Sequence, residues 1–233
     1  MKSLLLIVPI LVTLAGPLCA QHSHLNAGII DANHNGIADA GERLAFVNGA
    51  TFNTASGYAL SLTWKTTGDY AGTFSGNLTF TALAATPDRG GPEADHAALG
   101  SHIVVQLVSV SGPTGGTFSF WEDNAVSPTI SLGVGAASSP TMRWDLSENN
   151  ALPGDDPFGH VHGRQFSVDQ AGTYTATFQL FDTSTNGPGG GPLHAASDTF
   201  QMSFVAVPEP GVLALFAIGA VGAILGGRLR RRS

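Results

Sequence analysis

Short runs in which apolar residues alternate with Thr or Ser recur along the chain and limit what it can fold into. They include Leu60-Ser-Leu-Thr-Trp64, Asn77-Leu-Thr-Phe-Thr81, Thr117-Phe-Ser-Phe120, Thr129-Ile-Ser-Leu132, Thr173-Tyr-Thr-Ala-Thr-Phe-Gln-Leu180 and Phe200-Gln-Met-Ser-Phe204. Successive side chains of a strand point to opposite faces, so each run presents one apolar and one hydroxylated side, as a half-buried strand requires. Ile103 to Val110 is more continuously apolar and suits a central strand. Clusters of Gly, Pro, Asn and Asp separate the runs at Thr86 to Asp95, Gly112 to Gly116, Pro153 to Pro157 and Asn186 to Pro192. Only Ala94 to Leu99 hints at a helical turn. The expected fold is all-β: an antiparallel β-sandwich, Ig-like, occupying residues 21–207.

Composition agrees. Among 233 residues only 12% are charged, with 30 glycines and 13 prolines, which argues against a coiled coil or helical bundle. With 43% hydrophobic residues the chain is too apolar to read as disordered. The net charge is −7. Setting aside Lys2, Arg228, Arg230, Arg231 and Arg232 in the terminal segments leaves five basic residues against 17 acidic ones, a net charge of −12. Such a body repels phosphate backbones, and nucleic acid is excluded as a partner.

Both ends read as addresses. Residues 1–20 show a basic start at Lys2, an apolar helix-forming stretch from Leu4 to Ala15, and a cleavage site at Leu18-Cys19-Ala20, the pattern of a secretory signal peptide. Leu18 directly before Cys19 disfavours lipoprotein processing. After cleavage the chain has no cysteine, so disulfides and thiolate metal sites are excluded. Residues 208–233 begin with Pro208-Glu209-Pro210, continue without charge from Val212 to Gly227, and end in Arg-Leu-Arg-Arg-Arg-Ser. Sixteen helical residues span about 24 Å, a short single transmembrane helix with its arginines held on the cytoplasmic side. This order resembles the PEP-CTERM sorting signal of Gram-negative bacteria. The resemblance implies an exosortase-type protease as partner, transient anchoring in the inner membrane, and a destination at the cell surface or outer envelope.

Four of the eight histidines form His-x-His pairs, His22 with His24 and His160 with His162. On an extended strand residues i and i+2 project from one face, so two imidazoles can reach one ion. Neutral imidazole suits zinc, copper or nickel better than calcium. A β-sandwich can bring the first strand to the later pair, with His194, His96 or His102 completing the set. Asp155 and Asp156 are placed to orient the free ring nitrogens. His34 sits at an outward-facing loop position. A solvated, incidental role for the pairs is the competing reading, and the chain near His22 frays unless something ties it down.

A second metal motif lies at Asp31-Ala-Asn33-His-Asn35-Gly36-Ile37-Ala-Asp39-Ala-Gly-Glu42, which fits the spacing Asp-x-Asn-x-Asn-Gly-x5-Glu. In such a loop the side chains of Asp31, Asn33, Asn35, Asp39 and Glu42 and the carbonyl of Ile37 surround calcium, and Gly36 allows the sharp turn. No amphipathic helix precedes Asp31, so a paired EF-hand is excluded. The choice is between a single structural calcium loop and an Asx-rich turn.

Several ordered segments carry a family resemblance. Val108-Ser-Val-Ser-Gly-Pro113, Thr117-Phe-Ser-Phe-Trp121, Gly159-His-Val-His-Gly163 and Gln170-Ala-Gly-Thr-Tyr-Thr175 resemble, in this order, the core of the choice-of-anchor M surface proteins. The start His22-Ser-His24-Leu-Asn26 and the segment Asp182 to His194 resemble PEP-CTERM members under a zinc-uptake repressor. The resemblance implies a surface-displayed β domain made when zinc is scarce, binding zinc and aiding its acquisition. His22, His24, His160, His162 and His194 match the histidines of the family motifs. One departure is that Gly163-Arg164-Gln165 separates the pair from Phe166, where actinobacterial relatives place an aromatic residue sooner.

No catalytic cysteine, Gly-x-Ser-x-Gly, His-Glu-x-x-His or phosphate-cradling loop is present, and Pro192 prevents Gly189 to Gly191 from opening a helix. A zinc-activated water with Glu122 or Asp155 as base is chemically conceivable, but nothing in the sequence defines a substrate pocket. The expected function is a non-catalytic zinc-binding surface protein linked to zinc acquisition or homeostasis. The alternative is a structural or adhesive component of the extracellular polysaccharide matrix. Trp64, Trp121 and Trp144 are then candidate sugar platforms, although Trp64 and Trp121 lie in strand patterns that suit a core.

Overall fold

The structure, a computed structural model, describes residues 24–85 and 95–208. The signal peptide, His22 and the apolar sorting helix lie outside the described residues. Among the described residues no helix is long and apolar enough to cross a membrane.

The described residues form twelve strands: β1 (His24–Ile29), β2 (Leu44–Phe46), β3 (Ala59–Trp64), β4 (Phe74–Gly76), β5 (Thr79–Ala82) and β6 (Ile103–Ser111), then β7 (Thr117–Trp121), β8 (Ile130–Gly133), β9 (Arg143–Asp145), β10 (Gln165–Val168), β11 (Gly172–Asp182) and β12 (Phe200–Ala206). Among the described residues helix is confined to one four-residue turn, α1 (Gly49–Phe52), and short 3-10 turns. All seven runs with strand patterning are strands, so the all-β reading holds.

The arrangement differs from an Ig-like antiparallel sandwich. Nine strands make one sheet, in the order β8-β7-β10-β4-β3-β12-β11-β6-β9, and three make a second, β2-β1-β5. The larger sheet curls until it nearly closes. The Gly135 amide, just past β8, donates to the Val110 carbonyl of β6, the strand that lies next to the far edge. Two neighbours are parallel, β3 with β12 and β1 with β5. Period-two patterning fixes which face a residue occupies but is silent on which strand lies beside it, so these pairings had no signature in the runs themselves.

Aromatic side chains fill the curled sheet. Phe118, Phe120, Phe166, Phe178 and Phe204 are almost wholly buried, and Trp144 stacks on Phe120 at a centroid distance of 4.0 Å. Phe80 of β5 meets Phe166 at 5.5 Å and Phe178 at 5.6 Å, which seats the small sheet against the same core. Tyr174 is fully buried, and its hydroxyl donates to the Gln170 carbonyl, the tyrosine-corner contact of Greek-key proteins.

The wall of β5 opposite Phe80 positions the candidate site. β5 is buried on both faces rather than half-exposed, so Thr79 and Thr81 lie inside although the alternation suggested a solvent face. On one side β1 pairs with it, His24 opposite Thr79 and Asn26 opposite Thr81. On the other side Ala82 forms an antiparallel bridge with Gly159, exchanging N–H···O bonds of 2.9 and 3.1 Å.

Candidate metal centre

This pairing brings distant histidines onto one face. Residues opposite one another on neighbouring strands share a face, as do residues i and i+2. His24 on β1, Thr81 on β5 and His160 just past the Gly159 bridge lie side by side, and His162 joins them from irregular chain rather than from the strand expected of the pair. The His24 and His160 rings stack at 4.5 Å, and the His162 ring stands edge-on to both, at 5.9 Å from His24 and 4.4 Å from His160. Nε2 of His160 and Nε2 of His162 are hydrogen-bonded at 2.7 Å. Nδ1 of His24 and Nδ1 of His160 both bond to Thr81 Oγ1, at 3.2 and 3.1 Å.

The surrounding chain fixes each part. The side chain of Asn48 accepts the Asn26 N–H and donates to the His24 carbonyl, tying down the start of β1. Gly159 packs against the Leu146 carbonyl where a Cβ would overlap it, and Gly163 has φ of +90° with the Asp123 carboxylate at the same position. The Gly-His-Val-His-Gly pattern therefore has a steric origin at both ends. The His160 N–H donates to Glu148 Oε1 at 2.6 Å. Burial pushes the His160 imidazole below its ordinary range, the neighbouring His24 and His162 rings lower it further, and Glu148 opposes them.

Among the described residues no group of three or more His, Cys, Asp or Glu is preset at ion-binding spacing. The three rings meet through stacking and a hydrogen bond instead. Two nitrogens on a tetrahedral zinc, each at roughly 2.0–2.1 Å, stand about 3.3 Å apart. The Nε2 pair at 2.7 Å would open by about 0.6 Å to accept the ion in place of the shared proton. The donor type, imidazole nitrogen on a partly buried wall, is one that zinc takes.

Other candidates lie apart from this cluster. His194 is buried, 2% exposed, and both its ring nitrogens engage backbone: Nε2 accepts the Ala98 N–H and Nδ1 donates to the Glu42 carbonyl. Burial lowers its pKa, against weaker raising effects of the Glu42 carbonyl, Asp182 and Glu42. His96 is buried, and His102 bonds to Asn149 and Asp145. Asp155 and Asp156 accept backbone N–H groups of Leu152, and of Ala85 and Phe158. The carboxylate found beside the pair is Glu148, and the hydroxyl between the rings is Thr81. The sequence reading missed both, because only long-range pairing brings them there.

The Asp31 to Glu42 loop is folded by its own side chains. Asp31 accepts N–H groups of Asn35 and Gly36, Asn33 accepts that of Asn35, and Asn35 accepts that of Ile37. Glu42, 8% exposed, accepts the Ala32 and Asp39 N–H groups and so clasps both ends. Gly36 has φ of +76°. Asp31 is held below the ordinary carboxylate range, chiefly by the Gly36 amide. His34 is exposed, as expected. Of the tryptophans, Trp121 and Trp144 are buried at 4% each, whereas Trp64 is 40% exposed. Trp64 stands at the end of β3 against Phe74, so its strand pattern overstated its burial.

Residues 206–232 match the family model of the PEP-CTERM protein-sorting motif. No curated protein and no solved structure matches the chain. The sorting match takes in Ala206 at the end of β12 and the Pro208-Glu209-Pro210 sequence but not the histidine-bearing body. Its motif marks the chain as an exported protein sorted to the cell surface by an exosortase, a membrane sorting protease.

Proposed function

We propose that this exported protein binds zinc through His24, His160 and His162 and serves zinc acquisition or homeostasis at the envelope of a Gram-negative bacterium, without catalysing a reaction. The observation that carries the reading is the meeting of His24 with a pair 136 positions later, on either side of one buried hydroxyl. Three imidazoles suit a tetrahedral ion that keeps one further position. His22, two residues before His24 in the sequence, is the candidate for that position. The resemblance of the body to choice-of-anchor M proteins supports the same reading, and the single inner-membrane helix of the sorting signal accounts for transient anchoring. Calcium in the Asp31 to Glu42 loop is a second, structural proposal, supported by the clasp that Glu42 makes.

Elemental analysis and zinc titration of the purified protein, beside a His160→Ala/His162→Ala variant, test this. The unaltered protein takes up about one zinc per chain near neutral pH and releases it as imidazoles protonate. The double variant loses that uptake. Equal uptake by both overturns the assignment and favours the matrix-adhesive alternative, for which the half-exposed Trp64 is the one candidate sugar platform among the three tryptophans. The same elemental analysis reports calcium.

A further inference from the structure

We propose that Thr81 is the positioning residue of the histidine cluster: its hydroxyl holds the Nδ1 edges of His24 and His160 and so directs Nε2 of each ring to the cation. The inference rests on the zinc reading above. A hydroxyl has one proton and two lone pairs. Thr81 Oγ1 lies 3.2 Å from one Nδ1 and 3.1 Å from the other, so a single atom can accept an N–H from both rings. An imidazole that binds metal through one nitrogen carries its proton on the other and needs an acceptor there, a role that usually falls to a carboxylate or carbonyl. Here one neutral oxygen supplies it twice.

Strand register places the hydroxyl there. β1 pairs with β5 on one side and Gly159 bridges Ala82 on the other, which leaves Thr81 between the two rings. Thr81 is 5% exposed, so bulk water does not readily replace its oxygen. Without a fixed partner each ring exchanges its proton between Nδ1 and Nε2, and a ring protonated at Nε2 cannot bind through that atom.

Thr81→Val keeps the shape and removes both lone pairs, whereas Thr81→Ser keeps the hydroxyl. Zinc affinity by chelator competition is expected to fall about 10–100-fold in Thr81→Val. Thr81→Ser is expected to stay within about threefold of the unaltered protein. Long-range 15N–1H spectra of the His24 and His160 rings, recorded without metal, give a second readout. The unaltered protein and Thr81→Ser share one tautomer pattern, and Thr81→Val changes it while melting as a folded protein. Zinc affinity and ring spectra in Thr81→Val that match the unaltered protein overturn the proposal. If the unaltered protein takes up no zinc, the zinc reading falls and with it the direction of Nε2. The ring spectra then decide separately whether Thr81 holds the two Nδ1 edges.

Discussion

His194 shows how one ring can be fixed by backbone alone. Its Nε2 accepts the Ala98 N–H and its Nδ1–H donates to the Glu42 carbonyl, so the neutral form fits and a second ring proton would face an amide hydrogen. Burial holds its pKa below the ordinary value of 6.5. As pH falls the unfolded chain binds this proton first. The stabilisation is therefore complete above 6.5 and declines as pH drops from there toward the folded value. His160, lowered by burial and by two neighbouring rings, adds a contribution of the same sign. The expected outcome is a urea midpoint that falls between about pH 7.5 and about pH 5. A His194→Gln variant is less stable at neutral pH but shows a shallower decline. An equal pH slope in the variant would show that His194 is not the titrating group. The sequence offered His194 as a ligand through its match to a family motif, whereas the carbonyl and amide that its ring now engages lie 152 and 96 positions away and have no local signature. Thr81 was passed over for the opposite reason: a Thr in an alternating run reads as solvent-facing until the neighbouring strands are known.

At the scale of elements, the two glycines flanking His160 and His162 let the segment run close against Leu146 and Asp123, anchored to β5 by the Gly159 bridge to Ala82. Gly159→Ala would force its methyl into the Leu146 carbonyl, which sits on the chain that also supplies Glu148. The expected cost exceeds the roughly 1–3 kcal/mol of ordinary overpacking, because the obstacle is backbone. Weaker zinc uptake should accompany it, since His160 moves with the bridge. Gly133→Ala is the matched control: an added methyl meets only Ala136 at 3.9 Å, and the change should stay within about 0.5 kcal/mol. Thermal melting of the two variants compares them, and equal melting temperatures would refute the steric account. The longer strands were legible because Thr117 to Phe120 or Thr173 to Leu180 each bury alternate aromatics or aliphatics. The curl of the nine-stranded sheet was not. It depends on contacts such as Gly135 with Val110, and on β3 lying parallel to β12, which no local pattern encodes.

Taken whole, the molecule separates its folded body from its sorting segment at one point. β12 pairs with β11 and β3 as far as Ala206, Val207 is 62% exposed, and Pro208 has no N–H with which to extend the ladder. Phe204 and Met202, both fully buried, lie just inside this boundary. A protease acting near Pro208-Glu209-Pro210 can therefore work on chain outside the sheet and leave the core closed. Mass spectrometry of the surface-released protein is expected to find a carboxyl terminus at or shortly after Val207, with the apolar stretch and arginine cluster gone. Replacing Pro208, Glu209 and Pro210 by Ala should leave an uncut chain in the membrane fraction. A protein ending at Val207 should melt with the processed protein, whereas one ending at Gln201 lacks buried Met202 and Phe204, strips the Phe204 ring from Phe118, Phe166 and Phe178, and should fail to fold. A processed terminus inside β12 would contradict this division, because removing Phe204 opens the aromatic core that the sheet encloses.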